Sequence, residues 1–170
     1  MKKIDYSGIL LCERQAEAFE LSVTQMNISS EMFIRRFVFS NICKLMDDLD
    51  FLQTNYMAKD ILDFVNEEYG TSKYGSKKYS AEEMYWIGYI YRYFSYTREW
   101  SSRRIYKFIK PKELRELYPS YHSLDPGQTV ERLLESKGYP ATEEGEMLRQ
   151  YRILREVREM EKEYKTDHSK

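Results

Sequence analysis

Apolar residues recur every three or four positions along most of the chain, a spacing that places them on one face of an α-helix. The pattern is clearest between Ser80 and Trp100, where eight of 21 residues are aromatic. Ser80 and Glu83 form a capping box at the start of this segment. Its large apolar residues fall in two adjoining stripes. The first stripe consists of Tyr85, Tyr89, Tyr93, Tyr96 and Trp100, and the second of Trp86, Ile90 and Phe94. A helix with so wide an apolar surface is buried by neighbouring helices or by a partner.

The same spacing predicts the other elements of the fold. Helices are expected over residues 7–26, 31–48, 55–69, 102–109, 112–118, 126–138 and 143–164, with connections over 49–54, 71–79 and 119–124. No segment keeps the alternation of apolar and polar residues that a half-buried strand requires. The pattern therefore predicts an all-α protein, a compact helical bundle of about seven helices with a long C-terminal amphipathic helix.

The clearest domain boundary lies at residues 139–142, which follow a glycine suited to a helix C-terminus and include a proline. We expect a helical core domain over residues 1–138, and a linker and C-terminal helix with a frayed tail over residues 139–170. The last helix carries a single apolar stripe, Met147, Leu148, Tyr151, Leu154, Val157, Met160 and Tyr164. This stripe suits docking on the core or a coiled-coil-like seam, so a homo-oligomer formed through this helix is one expectation.

Composition narrows the class of protein. The 170 residues carry a net charge of −1, 42% are hydrophobic, and only 7 are Gly and 4 are Pro. So few turn-forming residues disfavour a β-sandwich or barrel. A nucleic-acid binder that is basic over its whole surface would carry a positive net charge, so this class is disfavoured. A local basic patch is compatible with a net charge of −1.

Cysteine usage and the absence of long apolar runs indicate the compartment. Cys12 and Cys43 have no histidine near them at zinc-ligand spacing, so we expect reduced thiols rather than a metal site or a disulfide. No stretch approaches the roughly 20 apolar residues of a membrane span. We therefore expect a cytoplasmic protein that does not enter a membrane.

Few residues are arranged for catalysis. The chain has no glycine-rich phosphate motif and no HExxH motif. His122 could act as a general base oriented by Asp125; alternatively His122 is a turn residue and Asp125 caps the next helix. Adjacent carboxylates such as Asp47 and Asp48 do not face each other on a helix, which indicates solvated charge. We expect no enzyme activity, no cofactor and no metal.

Binding is the more natural interpretation of the aromatic segment. Tyrosine packs as a ring but keeps a hydroxyl that needs a partner, and it is enriched at interfaces. The candidate anchors for a protein partner are Tyr89, Tyr93, Tyr96 and Trp100. A stripe at helical spacing also suits a core, and the sequence leaves both interpretations open.

Residues 98–115 hold seven basic side chains against two acidic ones. Within them, SSRRIYKFI resembles the short second helix of a helix-turn-helix, although a partner helix with a tight glycine turn is not evident in the sequence. On such a helix Arg103, Arg104 and Lys107 project outward while Ile105 packs. These three cations are candidates for contact with nucleic-acid phosphates or with an acidic protein.

Three segments together resemble a known group: SSEMFIRRFVFS over 29–40, EEMYWIGYIYRYFSYT over 82–97 and KPKELRELYPSYHSLDPGQTVERLLE over 110–135. The group consists of small helical proteins of Gram-positive, often gut-dwelling bacteria, which accompany toxin–antitoxin or mobile-element genes and of which some are labelled antitoxins. The resemblance covers residues 29–135 and assigns no residue a catalytic role. The helix after Pro140 departs from the pattern.

The resemblance implies a non-catalytic, antitoxin-like protein that neutralises a partner protein by direct contact. A toxin is one such partner, and a host defence nuclease is another. The alternative from the basic segment is a DNA-binding transcriptional regulator that uses residues 98–115.

Overall fold

The structure, a computed structural model, describes residues 1–140 and 143–167. Over these residues it contains nine α-helices, one 3₁₀-helix and no strand. The α-helices are α1 (Tyr6–Gln25), α2 (Ser30–Phe39), α3 (Asn41–Asp47), α4 (Ala58–Tyr69), α5 (Ala81–Arg98), α6 (Ser102–Phe108), α7 (Pro111–Tyr121), α8 (Pro126–Ser136) and α9 (Glu143–Asp167). The all-α class is confirmed. The predicted number of about seven helices is too low.

The chain divides into two units. The first consists of Lys2–Thr129, and the second comprises Met1 and the chain from Val130 onward, so that the division falls within α8. Ala141 and Thr142 of the predicted boundary lie outside the described residues, as do residues 168–170 of the predicted tail.

Helix α5 is the central helix of the first unit. It packs along α1 and also contacts α6 and α7. Every residue from Ile90 to Thr97 is buried, so neighbouring helices surround this part of α5 on all sides. Gly88 allows the close approach of α1, because a Cβ there would lie 2.9 Å from Cγ of Phe19 and 3.0 Å from Cα of Ala16.

The helix predicted over residues 31–48 is two helices, which accounts for part of the undercount. Ser40 has extended backbone angles, with φ −78° and ψ 160°, and separates α2 from α3. Its Oγ accepts a hydrogen bond from the Cys43 amide and donates one to the Phe37 carbonyl. A serine side chain that bonds to nearby backbone groups in this way competes with the helical hydrogen bonds and ends one helix while it caps the next.

Two predicted connections are partly helical. A 3₁₀-helix, Asp50–Gln53, occupies the connection after α3. Helix α7 runs through Pro119 to Tyr121, whereas a turn was predicted from residue 119. Proline removes one backbone donor from the helix. The helical hydrogen bond from the His122 amide to the Tyr118 carbonyl still forms, at 3.0 Å.

Candidate functional site

The four candidate aromatic anchors on α5 differ in burial. Tyr93 and Tyr96 are buried within the chain, whereas Tyr89 and Trp100 are half-buried. Tyr89 stacks on Tyr93 with ring centroids 6.4 Å apart. Burial raises the pKa of Tyr89 to about 12, which keeps its hydroxyl protonated at neutral pH. The rings of Tyr89 and Trp100 are therefore the two of the four that solvent reaches.

Tyrosine hydroxyls on α5 find partners within the chain. The hydroxyl of Tyr96 donates to the Asp5 carboxylate at 2.7 Å, and that of Tyr91 donates to the Ile109 carbonyl at 2.9 Å. Burial and then the bond to Asp5 raise the pKa of Tyr96. A buried hydroxyl without a partner is costly, so these bonds make tyrosine a suitable core residue at both positions.

Helix α6 presents three exposed cations. Arg103, Arg104 and Lys107 are all exposed, and Ile105 on the opposite side is fully buried. Arg104 lies over the Trp100 indole at 3.6 Å, and Arg103 lies over the Phe39 ring at 5.3 Å. Lys107 makes no hydrogen bond or ion pair with any residue that the structure describes.

The connection from α5 to α6 is three residues long. Glu99 lies in the left-handed region, with φ 53°, and Ser101 caps α6 by accepting a hydrogen bond from the Arg104 amide. Glycine or asparagine is the usual residue in this conformation. The sequence did not indicate this tight turn, because glutamate occupies the left-handed position at which glycine is the usual residue.

Among the residues that the structure describes, the most deeply buried charge is Arg92, in the middle of α5, which sequence reasoning missed. Its side chain is 1% exposed and forms an ion pair with Asp47 at 2.7 Å. It also donates to the Gln15 side chain at 2.8 Å and to the Ser102 hydroxyl at 3.1 Å. Asp47 in turn accepts hydrogen bonds from the Ser102 amide at 2.9 Å and from its hydroxyl at 2.6 Å. These contacts join α1, α3, α5 and α6.

The interpretation of Asp47 as solvated charge is therefore wrong, since it pairs with a buried guanidinium. A signal was present in the sequence. Arg92 lies three residues after Tyr89 and four before Tyr96, on the apolar face of a helix, where a charge needs a buried partner. The sequence did not indicate which carboxylate that partner was.

A cavity of about 310 Å³ lies beside this ion pair. Asp47, Arg92 and Ser95 form part of its wall, and the exposed side chains of Lys2, Asp48 and Glu99 also line it. Because both signs of charge are present, the cavity favours no single class of ligand.

His122 and Asp125 do not form the pair that a general base would need. Nδ1 of His122 lies 2.8 Å from the Tyr118 carbonyl oxygen, and its ring stacks on Tyr118 with centroids 4.8 Å apart. The Asp125 carboxylate accepts hydrogen bonds from the amides of Gly127 and Gln128 at the start of α8. The other histidine, His168, lies outside the described residues.

Helix α9 exposes eight large apolar side chains, Met147, Leu148, Tyr151, Ile153, Leu154, Val157, Met160 and Tyr164. Their exposed fractions run from 40% at Val157 to 70% at Met147. At 3.6 residues per turn, all but Leu148 fall on one half of the helix, where Gln150, Arg158 and Glu161 interrupt them. The surface is therefore a broad apolar half rather than a narrow stripe.

Residues 1–140 and 143–167 show no further arrangement of side chains typical of a metal site or of a membrane span. No group of three or more His, Cys, Asp or Glu side chains there could hold a metal ion. None of the helices described there combines the length and the apolar character needed to cross a membrane. Comparisons with protein-family models, with curated proteins and with solved structures found no match.

Proposed function

We propose that this protein binds a partner protein through the apolar half of α9 and neutralises it by direct contact. The observation that carries the proposal is the exposure of eight large apolar residues along a single helix. Exposed apolar patches of this kind mark interaction sites in soluble proteins. An amphipathic helix that lies in the apolar groove of a partner is a recurring mode of recognition.

The spacing of the apolar residues favours a groove over a self-paired seam. Tyr151, Leu154, Val157 and Met160 follow one another at intervals of three residues. Each interval of three rotates the apolar direction by about 60° around the helix axis. A two-stranded coiled coil needs alternating intervals of three and four, which keep its seam on one side. A groove that encloses half of the helix accommodates the rotation.

The class of partner comes from the resemblance of residues 29–135 to proteins that accompany toxin–antitoxin genes. It favours a toxin encoded next to this protein as the partner. A host defence nuclease is the alternative, and it would be bound through the same surface.

The test is a growth assay in which this protein is co-expressed with each small reading frame that lies next to its gene. We expect the native chain to restore growth and to form a stoichiometric complex on size-exclusion chromatography. The variant Leu154→Glu/Val157→Glu should lose both, because two carboxylates cannot be buried in an apolar groove. The control Arg152→Glu places a carboxylate on the charged half of α9 and should behave as the native chain does. Absence of rescue by the native chain, or equal rescue by the double variant, contradicts the proposal.

A second candidate function is DNA binding by α6, and the tight α5–α6 turn favours it. A short capped helix that follows a three-residue connection and carries three outward cations has the form in which a recognition helix is presented to DNA.

The test is a titration against the promoter of the gene at several salt concentrations. We expect the logarithm of the binding constant to fall linearly with the logarithm of salt concentration, and Lys107→Ala to reduce that slope by about one. Lys59→Ala, which removes an exposed cation from α4, is the control. A salt-independent titration contradicts this candidate.

A further inference from the structure

Aromatic rings and cations alternate on a surface formed by α2, the end of α4 and α6, and this surface does not involve α9. Three contacts define it. Arg36 lies over the Tyr69 ring at 5.7 Å, Arg103 over the Phe39 ring at 5.3 Å, and Lys110 over the Tyr106 ring at 4.1 Å. Phe39 and Tyr106 meet edge to face at 5.9 Å, which makes the surface continuous. We call it the basic–aromatic surface.

A cavity of about 280 Å³ opens in this surface. Its walls are the rings of Phe39 and Tyr69, the side chain of Met32, and the side chains of Arg35 and Arg36. The volume lies just below the range of pockets that hold a whole drug-sized ligand. It suits a single planar ring. Tyr69 is 38% exposed, so its ring is accessible from solvent.

The charge around the cavity is positive. Arg35 is exposed and makes no hydrogen bond or ion pair with any described residue. Arg36 is held by the Ser72 hydroxyl at 2.7 Å and the Gly70 carbonyl at 3.2 Å, neither of which neutralises it. Arg103 and Lys107 continue the positive charge along α6.

Three carboxylates on α2, α4 and α7 accept hydrogen bonds from neutral donors, which leaves their negative charge in place. Glu68 accepts a hydrogen bond from the Asn41 amide at the start of α3. Glu113 accepts one from the Lys110 amide at the start of α7. Glu31 accepts one from the Tyr79 hydroxyl. Among the described residues, the cavity wall itself carries the guanidinium groups of Arg35 and Arg36 and no carboxylate, so the charge at the cavity is positive.

A single-stranded nucleic acid fits this combination. Proteins that bind single strands place bases on aromatic side chains and run the phosphates along a basic groove. A duplex hides the faces of its bases, and the Asp and Glu side chains of an acidic peptide have no ring to place in the cavity. We propose that the basic–aromatic surface binds single-stranded nucleic acid, with one base in the cavity between Phe39 and Tyr69 and phosphates on Arg35, Arg103 and Lys107.

The test measures fluorescence anisotropy of a labelled oligothymidylate of about 12 nucleotides, a length within the usual site sizes. Three other probes are compared with it: an abasic oligomer of the same length, the same strand in duplex, and polyglutamate of matched charge. We expect the oligothymidylate to bind more tightly than all three. Binding should weaken with salt by a slope of about −0.7 per phosphate contact.

Two variants separate stacking from charge. Tyr69→Ala should weaken binding by about 5- to 150-fold, the value of one stacked base, and leave the salt slope unchanged. Arg35→Ala should reduce the slope by about 0.7. The controls are Tyr74→Ala, which removes an exposed loop ring, and Lys59→Ala, which removes an exposed cation elsewhere. Circular dichroism verifies that each variant is folded.

Each contrary outcome overturns the proposal. Equal binding of the abasic oligomer or of polyglutamate would make the surface a site for anions or acidic proteins. Tighter binding of the duplex would assign the cations to duplex DNA instead. Absence of binding, or an unchanged affinity in Tyr69→Ala, would leave the cation–ring contacts a structural role only. None of these results bears on the growth assay, which depends on α9.

Discussion

The ion pair between Asp47 and Arg92 carries the sharpest prediction for stability. Replacing Asp47 by alanine leaves the Arg92 guanidinium buried, at 1% exposure, without its counter-charge. It also removes the acceptor for the Ser102 amide and hydroxyl. Breaking a buried ion pair on one side costs about 3–5 kcal/mol. The Gln15 side-chain oxygen still accepts a hydrogen bond from Arg92 at 2.8 Å. We therefore expect a loss of unfolding free energy at the lower end of this range, about 3 kcal/mol.

Urea unfolding followed by far-ultraviolet circular dichroism measures this loss directly. For a chain of this length, about 3 kcal/mol also corresponds to a fall in Tm of about 6–12 °C. Asp48→Ala is the matched control, because Asp48 is the adjacent carboxylate but is exposed. Its free energy of unfolding should stay within about 0.5 kcal/mol of the native value. Equal stability of the Asp47→Ala and Asp48→Ala variants would refute the idea that Arg92 depends on Asp47.

A double variant tests the physical reason for the loss. If the cost comes from an uncompensated buried charge, then removing the charge as well should recover stability. Asp47→Ala/Arg92→Met should therefore unfold at a higher urea concentration than Asp47→Ala alone. A double variant less stable than the single one would show that Arg92 stabilises the helices through its other hydrogen bonds rather than through the ion pair.

Three further predictions follow from burial. Burial raises the pKa of Cys12 to about 12 and that of Cys43 to about 11, so neither thiol should react with a disulfide reagent at pH 8 until the chain unfolds. Rapid labelling of the native chain at pH 8 would contradict this. Because these thiols ionise near pH 8.5 once unfolded, the free energy of unfolding should fall as pH rises from about 8.5 towards 11. A free energy that stays constant over that range in urea unfolding would contradict the raised pKa values. Gly88→Ala should cost about 1–3 kcal/mol in urea unfolding, because the new Cβ meets the α1 backbone at Ala16 as well as the Phe19 ring. A loss below about 0.5 kcal/mol would show that α1 moves away at little cost.

Elements with local signals were predicted well. The capping box formed by Ser80 and Glu83 is present at the start of α5, with the Glu83 amide 3.1 Å from the Ser80 hydroxyl. Asp125 caps α8, as predicted. Such caps involve residues two or three positions apart, so their geometry follows from the sequence alone.

Two kinds of feature were not predicted, namely a helix break across which the apolar spacing continues, and contacts between residues far apart in the sequence. The break at Ser40 depends on whether a serine side chain bonds to its own backbone or leaves the helix uninterrupted, and the apolar spacing continues across it. Arg92 and Asp47 are 45 positions apart, and several other carboxylates were equally available by spacing. The pairing required knowledge of how α3 and α6 pack against α5.

The aromatic residues of α5 and the apolar residues of α9 follow the same periodicity, yet they differ in environment. On α5 the apolar surface is enclosed by α1, α6 and α7, and the hydroxyls of Tyr91 and Tyr96 bond to distant parts of the chain. On α9 the corresponding residues are exposed. Helical spacing reports only that an apolar surface needs to be covered, and tertiary structure decides what covers it. Burial of the α9 surface by a partner would be favourable, since about 25 cal/mol accompanies each Å² of apolar area removed from water.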